Sequence, residues 1–233
     1  MRKEAADRPF FVIAASLFVL LVFLAFAQRY YLGWLFRSPH LSLFLQVHGA
    51  IMSGWVLMFI MQTGLVETGH MRMHRKLGTV GAGWAVLVVT IGTMATLHAS
   101  IREVRAHTDI APLQVTITGL ELVEMLLFAG FVTSAVWLRR RGDYHKRLML
   151  LTLVCMLPSV LPRLPLGLFQ SLLSILLAVY GALVLCVGID TLRHRRLHPA
   201  FAIGGAIFVL VMQAAFFAMQ TPAWRDFLTR LLG

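Results

Sequence analysis

Seven long apolar runs, separated by short breaks rich in Arg, Lys, Gly or Pro, dominate this chain and leave room for little besides membrane-crossing helices. They fall at about residues 9 to 28, 41 to 66, 78 to 98, 112 to 138, 147 to 162, 168 to 190 and 200 to 220. A hydrocarbon core about 30 Å thick needs ~20 helical residues to cross it, and inside lipid a helix satisfies its own backbone polar groups. The expected fold is all-α: a polytopic helical bundle of about seven transmembrane helices, forming a single domain over residues 1–233. Composition agrees, since 59% of the residues are hydrophobic and 13% are charged, against ~25% charged in a soluble domain. A soluble enzyme is thereby excluded. The fifth run is the shortest and holds Pro158 and Pro162. The first follows a basic segment from Arg2 to Arg8, as a signal sequence would, but it is long and has no small-residue cleavage site before Gln28, so a retained helix is expected.

The formal charge of +11 would suggest nucleic acid in a soluble protein; in a membrane chain it reports orientation, and no nucleic-acid partner is expected. Of the 21 basic residues, fourteen lie at the N-terminus (Arg2, Lys3, Arg8) and in the second-third, fourth-fifth and sixth-seventh breaks. The remaining seven are Arg29, Arg37, Arg102, Arg105, Arg163, Arg225 and Arg230. The asymmetry puts the N-terminus in the cytoplasm and the C-terminus outside, with Tyr30, Tyr31, Trp34 and Trp224 at the outer interface and Trp137 and Tyr144 at the inner one. Cys155 and Cys186 fall inside apolar runs and read as small hydrophobes. Gly78, Gly81 and Gly83, and later Gly204 and Gly205, have the spacing of close helix contacts.

Polar residues within the runs carry the functional signal, because an uncompensated polar group in hydrocarbon costs several kcal/mol. His48, Trp55 and Gln62 stand seven residues apart, and seven residues turn ~20° short of two full turns, so all three share one helical face over ~21 Å. That face serves interhelical hydrogen bonding or contact with a cofactor. With the N-terminus inside, His48 and His98 lie toward the outer surface and His74 and His145 toward the inner one. Imidazoles on facing helices are what a b-type haem requires, and Arg75, Arg147 or Arg163 would neutralise its propionates or hold a semiquinone anion. Glu121 and Glu124 are three residues apart on one face of the fourth run, where a carboxyl serves a proton path, an ion site or a buried pair, with Arg163 as one partner. Asp190 is expected to pair with Arg193 or a neighbour, and His40, His107, His194 and His198 are expected to be solvated interfacial residues.

Several stretches carry a resemblance: H-G-A-I-M-S-G-W from His48, six residues later Q-T-G-L-V from Gln62, then M-H-R-K-L-G ending at Gly78. Further on come H-K-R-L-M-L-L from His145, P-S-V-L-P-R from Pro158, D-T-L-R-H-R-R-L-H-P-A-F from Asp190 and T-P-A-W ending at Trp224. Over most of its length the chain resembles a poorly characterised family of multi-spanning bacterial inner-membrane proteins, which implies a multi-pass protein of the bacterial cytoplasmic membrane. The histidine layout is loosely similar to the transmembrane cytochromes b. Those pair histidines across four helices, whereas the fourth run here has glutamates and no histidine.

Three functions are compatible with these residues. The first is a redox or cofactor-binding bundle holding haem b or quinone. The second is a proton-coupled transporter working through Glu121 and Glu124. The third is a non-catalytic subunit or assembly factor that meets another membrane protein, or a second copy, through its glycine-rich faces. The lipid bilayer is a partner in each. The sequence leaves open whether the protein is an enzyme.

Overall fold

The computed structural model describes the backbone of residues 2–106 and 112–232 and the side chains of residues 9–103, 113–228, 230 and 231. His107 lies outside the described residues. Every regular element among them is helical. The order is α1 (Arg2–Phe26), running into a wide π-turn (Ala27–Tyr31), α2 (Leu43–Glu67), α3 (Met71–Ala106) and α4 (Pro112–Trp137). Then follow α5 (Gly142–Val160), a tight 3₁₀ turn (Leu161–Arg163), α6 (Leu172–His194), α7 (Pro199–Ala218) and α8 (Pro222–Leu232).

Local chemistry sets the ends. Ser42 caps α2 by accepting the Leu45 N–H at 3.4 Å, and the chain leaves α2 through Gly69 at φ +79°, a conformation that favours glycine. Pro162 closes α5, while Pro199 and Pro222 open α7 and α8, where a missing N–H costs nothing. α8 has an N-terminal cap as well, since Thr221 Oγ1 accepts the Trp224 N–H at 3.4 Å.

Among the described residues six helices are long and apolar enough to cross a membrane: Pro9–Tyr31, Leu43–Glu67, Met71–Glu103, Leu113–Trp137, Leu172–His194 and Pro199–Ala218. The fifth expected span is the exception. α5 begins five residues before residue 147, the expected start, so Asp143, Lys146 and Arg147 become part of the helix. Leucines on the outside of the six, such as Leu57, Leu126, Leu177 and Leu210, are more than half exposed, a surface suited to hydrocarbon.

The backbone groups into two compact units. The first comprises residues 1–88 and 156–179. In it α1 packs on α2, burying Phe11, Ala15, Phe18 and Val22, a stripe at helical spacing, and on α2 Trp55, Val56 and Phe59 are buried. Tyr31 and Ser53 share a hydrogen bond of 2.6 Å, and the Trp84 indole donates to the Ile51 carbonyl at 2.9 Å. Two glycines of α2 make these contacts possible. A Cβ on Gly49 would overlap the Tyr30 ring, and one on Gly54 would lie 2.5 Å from Trp84. Gly78 and Gly81 have only ordinary van der Waals neighbours and Gly83 has none, so the tight approaches fall one helix earlier than the glycine spacing suggests.

The second unit comprises residues 89–155 and 180–233. Here α4 packs on α7 and α8. Phe128, Leu151, Phe201, Phe208 and Met212 are fully buried. Gly204 fits the small-residue expectation, because a Cβ there would stand 2.5 Å from Leu151. α8 folds back over the start of α4: its Leu228 is buried with Val115, and the Trp224 indole donates to the Val115 carbonyl at 3.1 Å.

Candidate functional site

Polar groups in the second unit are arranged in layers along α4. Nearest its N-terminal end, Gln114 lies beside Thr118, and the Thr118 and Ser100 hydroxyls share a hydrogen bond of 2.8 Å. One turn further, Thr96 donates to Glu121 Oε2 at 3.0 Å. Next comes Glu124, 2% exposed, with an Oε2 that has no hydrogen-bond partner among the described residues. Residues 114, 118, 121 and 124 follow one another at helical spacing, so α4 turns a single polar face into the unit. The carboxyl pair stands out in the sequence; the hydroxyls do not, because a threonine in an apolar run bonds its own helix as often as a neighbour.

Beyond Glu124 the interior turns dry. Phe128, Phe131, Ala135, Leu151 and Phe208 are buried there, and the one buried hydroxyl among them, Thr152, donates to the Met149 carbonyl of its own helix at 2.6 Å.

A charged layer closes the other end. Arg147 of α5, 2% exposed, grips Asp190 of α6 in a two-pronged pair, Nε to Oδ2 at 2.9 Å and Nη2 to Oδ1 at 2.7 Å. Nη1 donates to the Asp143 carbonyl at 2.9 Å, and the guanidinium lies over the Phe201 ring at 5.9 Å. Asp190 therefore bonds a residue 43 positions away, and the neighbouring His194 stands 3.5 Å from its Oδ1. His198, expected to be solvated, is 5% exposed: its Nδ1 accepts the Ala200 N–H at 3.1 Å and its Nε2–H donates to Asp143 Oδ2 at 3.1 Å. Burial and the Arg147 charge push the His198 imidazole below its ordinary value, against the pull of Asp143 and Asp190. Partial burial alone would raise the Asp143 carboxyl, but the His198 and Tyr144 hydrogen bonds outweigh it and hold the group below the ordinary carboxylate value. His194, also expected to be solvated, donates from Nδ1 to the Asp190 carbonyl at 2.7 Å.

The remaining expected site residues divide between the units. In the first, Trp55 is buried and His48 half-buried on α2, Arg75 is exposed on α3, and exposed Arg163 donates to the Ser159 carbonyl and covers the Phe26 ring at 5.5 Å. Gln62 reaches α3: with its amide turned so that the oxygen faces the Gly78 N–H, the oxygen accepts that N–H at 2.8 Å and the nitrogen donates to His74 Nδ1 at 2.6 Å. The fixed direction of the Gly78 donor thus makes His74 Nδ1 an acceptor and places the proton of the neutral ring on Nε2. In the second unit, His98 is exposed, about 200° around α3 from both Thr96 and Ser100. His145 donates from Nδ1 to the Ala135 carbonyl at 2.8 Å, which fixes the opposite tautomer. Each expected haem pair, His48 with His98 and His74 with His145, takes one histidine from either unit. Among the described residues no group of three or more His, Cys, Asp or Glu side chains converges as a metal site.

Comparison with family models, with curated proteins and with solved structures finds no match to this chain.

Proposed function

We propose that the chain is a multi-pass protein of the bacterial cytoplasmic membrane, N-terminus inside, whose Glu121–Glu124 carboxyl pair takes up and releases protons in a transport step. The observation that carries this reading is Glu124. It lies one residue from the middle of the apolar helix Leu113–Trp137, almost fully buried, with one carboxyl oxygen unbonded and a second carboxyl one turn away. In a low-dielectric interior the two charge states of such a group differ by several kcal/mol, so a proton or cation arriving there is coupled to conformation. The hydroxyls of Thr96, Ser100 and Thr118 supply groups that both donate and accept along the same face. The distribution of Arg and Lys supports the orientation. A seventh crossing by α5 is supported by its 19 residues, about 28 Å of helix, and by the burial of its leucines, which relieves it of the need for a lipid-compatible surface.

Proteoliposomes loaded with a pH-sensitive dye, and energised by a potassium diffusion potential, test the reading. Wild-type protein should pass protons faster than protein-free vesicles, and Glu121→Gln with Glu124→Gln should abolish the difference. Equal flux through wild-type and doubly substituted protein overturns it, as does wild-type flux no greater than that of empty vesicles.

One observation favours a redox reading instead. A donor Nδ1–H bonded to a carbonyl, as at His145, is the arrangement that orients an imidazole for ligation through Nε2, whereas His74 carries the other tautomer and Arg147 already holds Asp190. A visible spectrum of protein expressed with added haem, oxidised and then dithionite-reduced, decides the haem version. Absence of Soret and alpha bands removes it.

A further inference from the structure

Helix N-caps are ordinarily Ser, Thr, Asp or Asn, whose oxygens accept at any physiological pH. α7 instead begins with His198 in the cap position. Pro199 has no N–H, so Ala200 presents the first donor that needs a partner, and His198 Nδ1 accepts it at 3.1 Å. The Phe201 and Ala202 amides bond the His198 carbonyl at 3.0 Å each, so three successive donors of α7 depend on one residue. On its other side the ring donates from Nε2 to Asp143 Oδ2 at 3.1 Å.

We propose that His198 is a proton-operated cap that holds the start of α7 when neutral and releases it when protonated. Imidazole can accept at Nδ1 only while that nitrogen keeps its lone pair. A proton added there sets two donors, Nδ1–H and the Ala200 N–H, against each other. Meanwhile the Nε2 contact with Asp143 becomes charge-assisted and stronger. The protonated ring therefore stays with α5 and leaves α7, exchanging a helix cap for an ion pair.

The groups facing the ring are consistent with this. From α5 come Asp143, the edge of Tyr144 with ring centroids 4.8 Å apart, and Arg147; from α6 comes Asp190; His194 joins through Arg147 at 3.5 Å. Asp143 and Asp190 stand against Arg147 around the ring, with Arg141 over the Tyr144 ring at 5.9 Å, so the cluster has charge to receive a proton, while burial delays its arrival. The turn between α6 and α7 is on the cytoplasmic side in the proposed orientation, so the cap reads internal acidification. It does not depend on the role of Glu121 and Glu124.

Hydrogen exchange of the full-length, detergent-purified protein, followed at the Ala200–Ala202 amides from about pH 8 to about pH 5 and corrected for intrinsic rates, tests the proposal. Wild-type protection should fall roughly 2- to 30-fold, the equilibrium equivalent of a lost cap, in a one-proton step below ~6.5. His198→Asn, which caps through an amide oxygen and cannot titrate, should show flat protection. Asp143→Asn should move the step to lower pH, because the imidazolium loses its partner. A flat wild-type profile overturns the proposal, and so does the same step in His198→Asn. If His198→Asn does not fold, an unmoved step in Asp143→Asn overturns it alone.

Discussion

The pair between Arg147 and Asp190 makes the sharpest demand on the structure. Asp190→Asn keeps the shape of the side chain and one of its acceptors but leaves the guanidinium, 2% exposed, without a countercharge. Stranding one member of a buried pair costs about 3–5 kcal/mol. Arg147 retains the Asp143 carbonyl at 2.9 Å and one amide oxygen, which places the expected loss at the lower end, ~3 kcal/mol. For a chain of this size each kcal/mol moves the thermal midpoint by about 2–4 °C, so the variant should melt roughly 6–12 °C below wild type. Cys155 has no exposed surface, so a thiol-reactive fluorophore added to the detergent-purified protein reports the unfolding of the second unit. Removing both charges, with Arg147→Met and Asp190→Leu, should recover most of the loss, since the penalty lies in the orphaned ion. A single variant melting within about 2 °C of wild type refutes the reasoning, as does a double variant that loses the sum of the two single effects.

Other positions give simpler expectations. Gly204→Val should lower stability by about 1–3 kcal/mol in the same melt, because its Cβ would meet Leu151 at 2.5 Å, whereas Gly83→Val, facing open space, should change little. Gln62→Leu should lose about 0.6–1.7 kcal/mol and perturb the His74 ring resonances, since the amide ties α2 to two groups of α3. The pH dependence of the melt has a definite sign: His198 is depressed in the folded chain, so the unfolded chain takes up the proton first, and stability present above ~6.5 declines as pH falls through the folded value. Asp143 adds a smaller loss of the same sign at more acid pH, limited because its side chain is 54% exposed. Comparing thermal midpoints of wild type and His198→Asn across that range checks the sign.

What the sequence makes legible depends on the range of the interaction. The six apolar helices follow directly from run length, and the seven-residue spacing puts His48, Trp55 and Gln62 on one face of α2 without naming the helix that Gln62 meets. Glu121 and Glu124 stand out because charge within a span is rare, and Glu124 is buried. The partner of Asp190 was not legible, since its nearest cations in sequence are Arg193 and Arg195 and nothing local singles out Arg147. The start of α5 was hidden for a related reason: Asp143, Lys146 and Arg147 look like loop residues until their partners are known. Two further features are written locally. Thr221 and Pro222 before apolar residues at 224, 227, 228 and 231 spell a capped amphipathic helix, now seen as α8, and His198–Pro199 before an apolar run spells a helix start.

The dry layer between Glu124 and Arg147 also has an electrical meaning. From Arg147 to Cys155 along α5 is eight residues, about 12 Å, and the buried side chains at that level include Phe128, Phe131, Leu151 and Phe208. In an energised bilayer a layer of this kind takes a share of the potential drop in proportion to its thickness. An elementary charge carried through the full potential exchanges about 2.3 kcal/mol per 100 mV, and at ~12 Å of a ~30 Å core this layer would account for roughly two-fifths of that work.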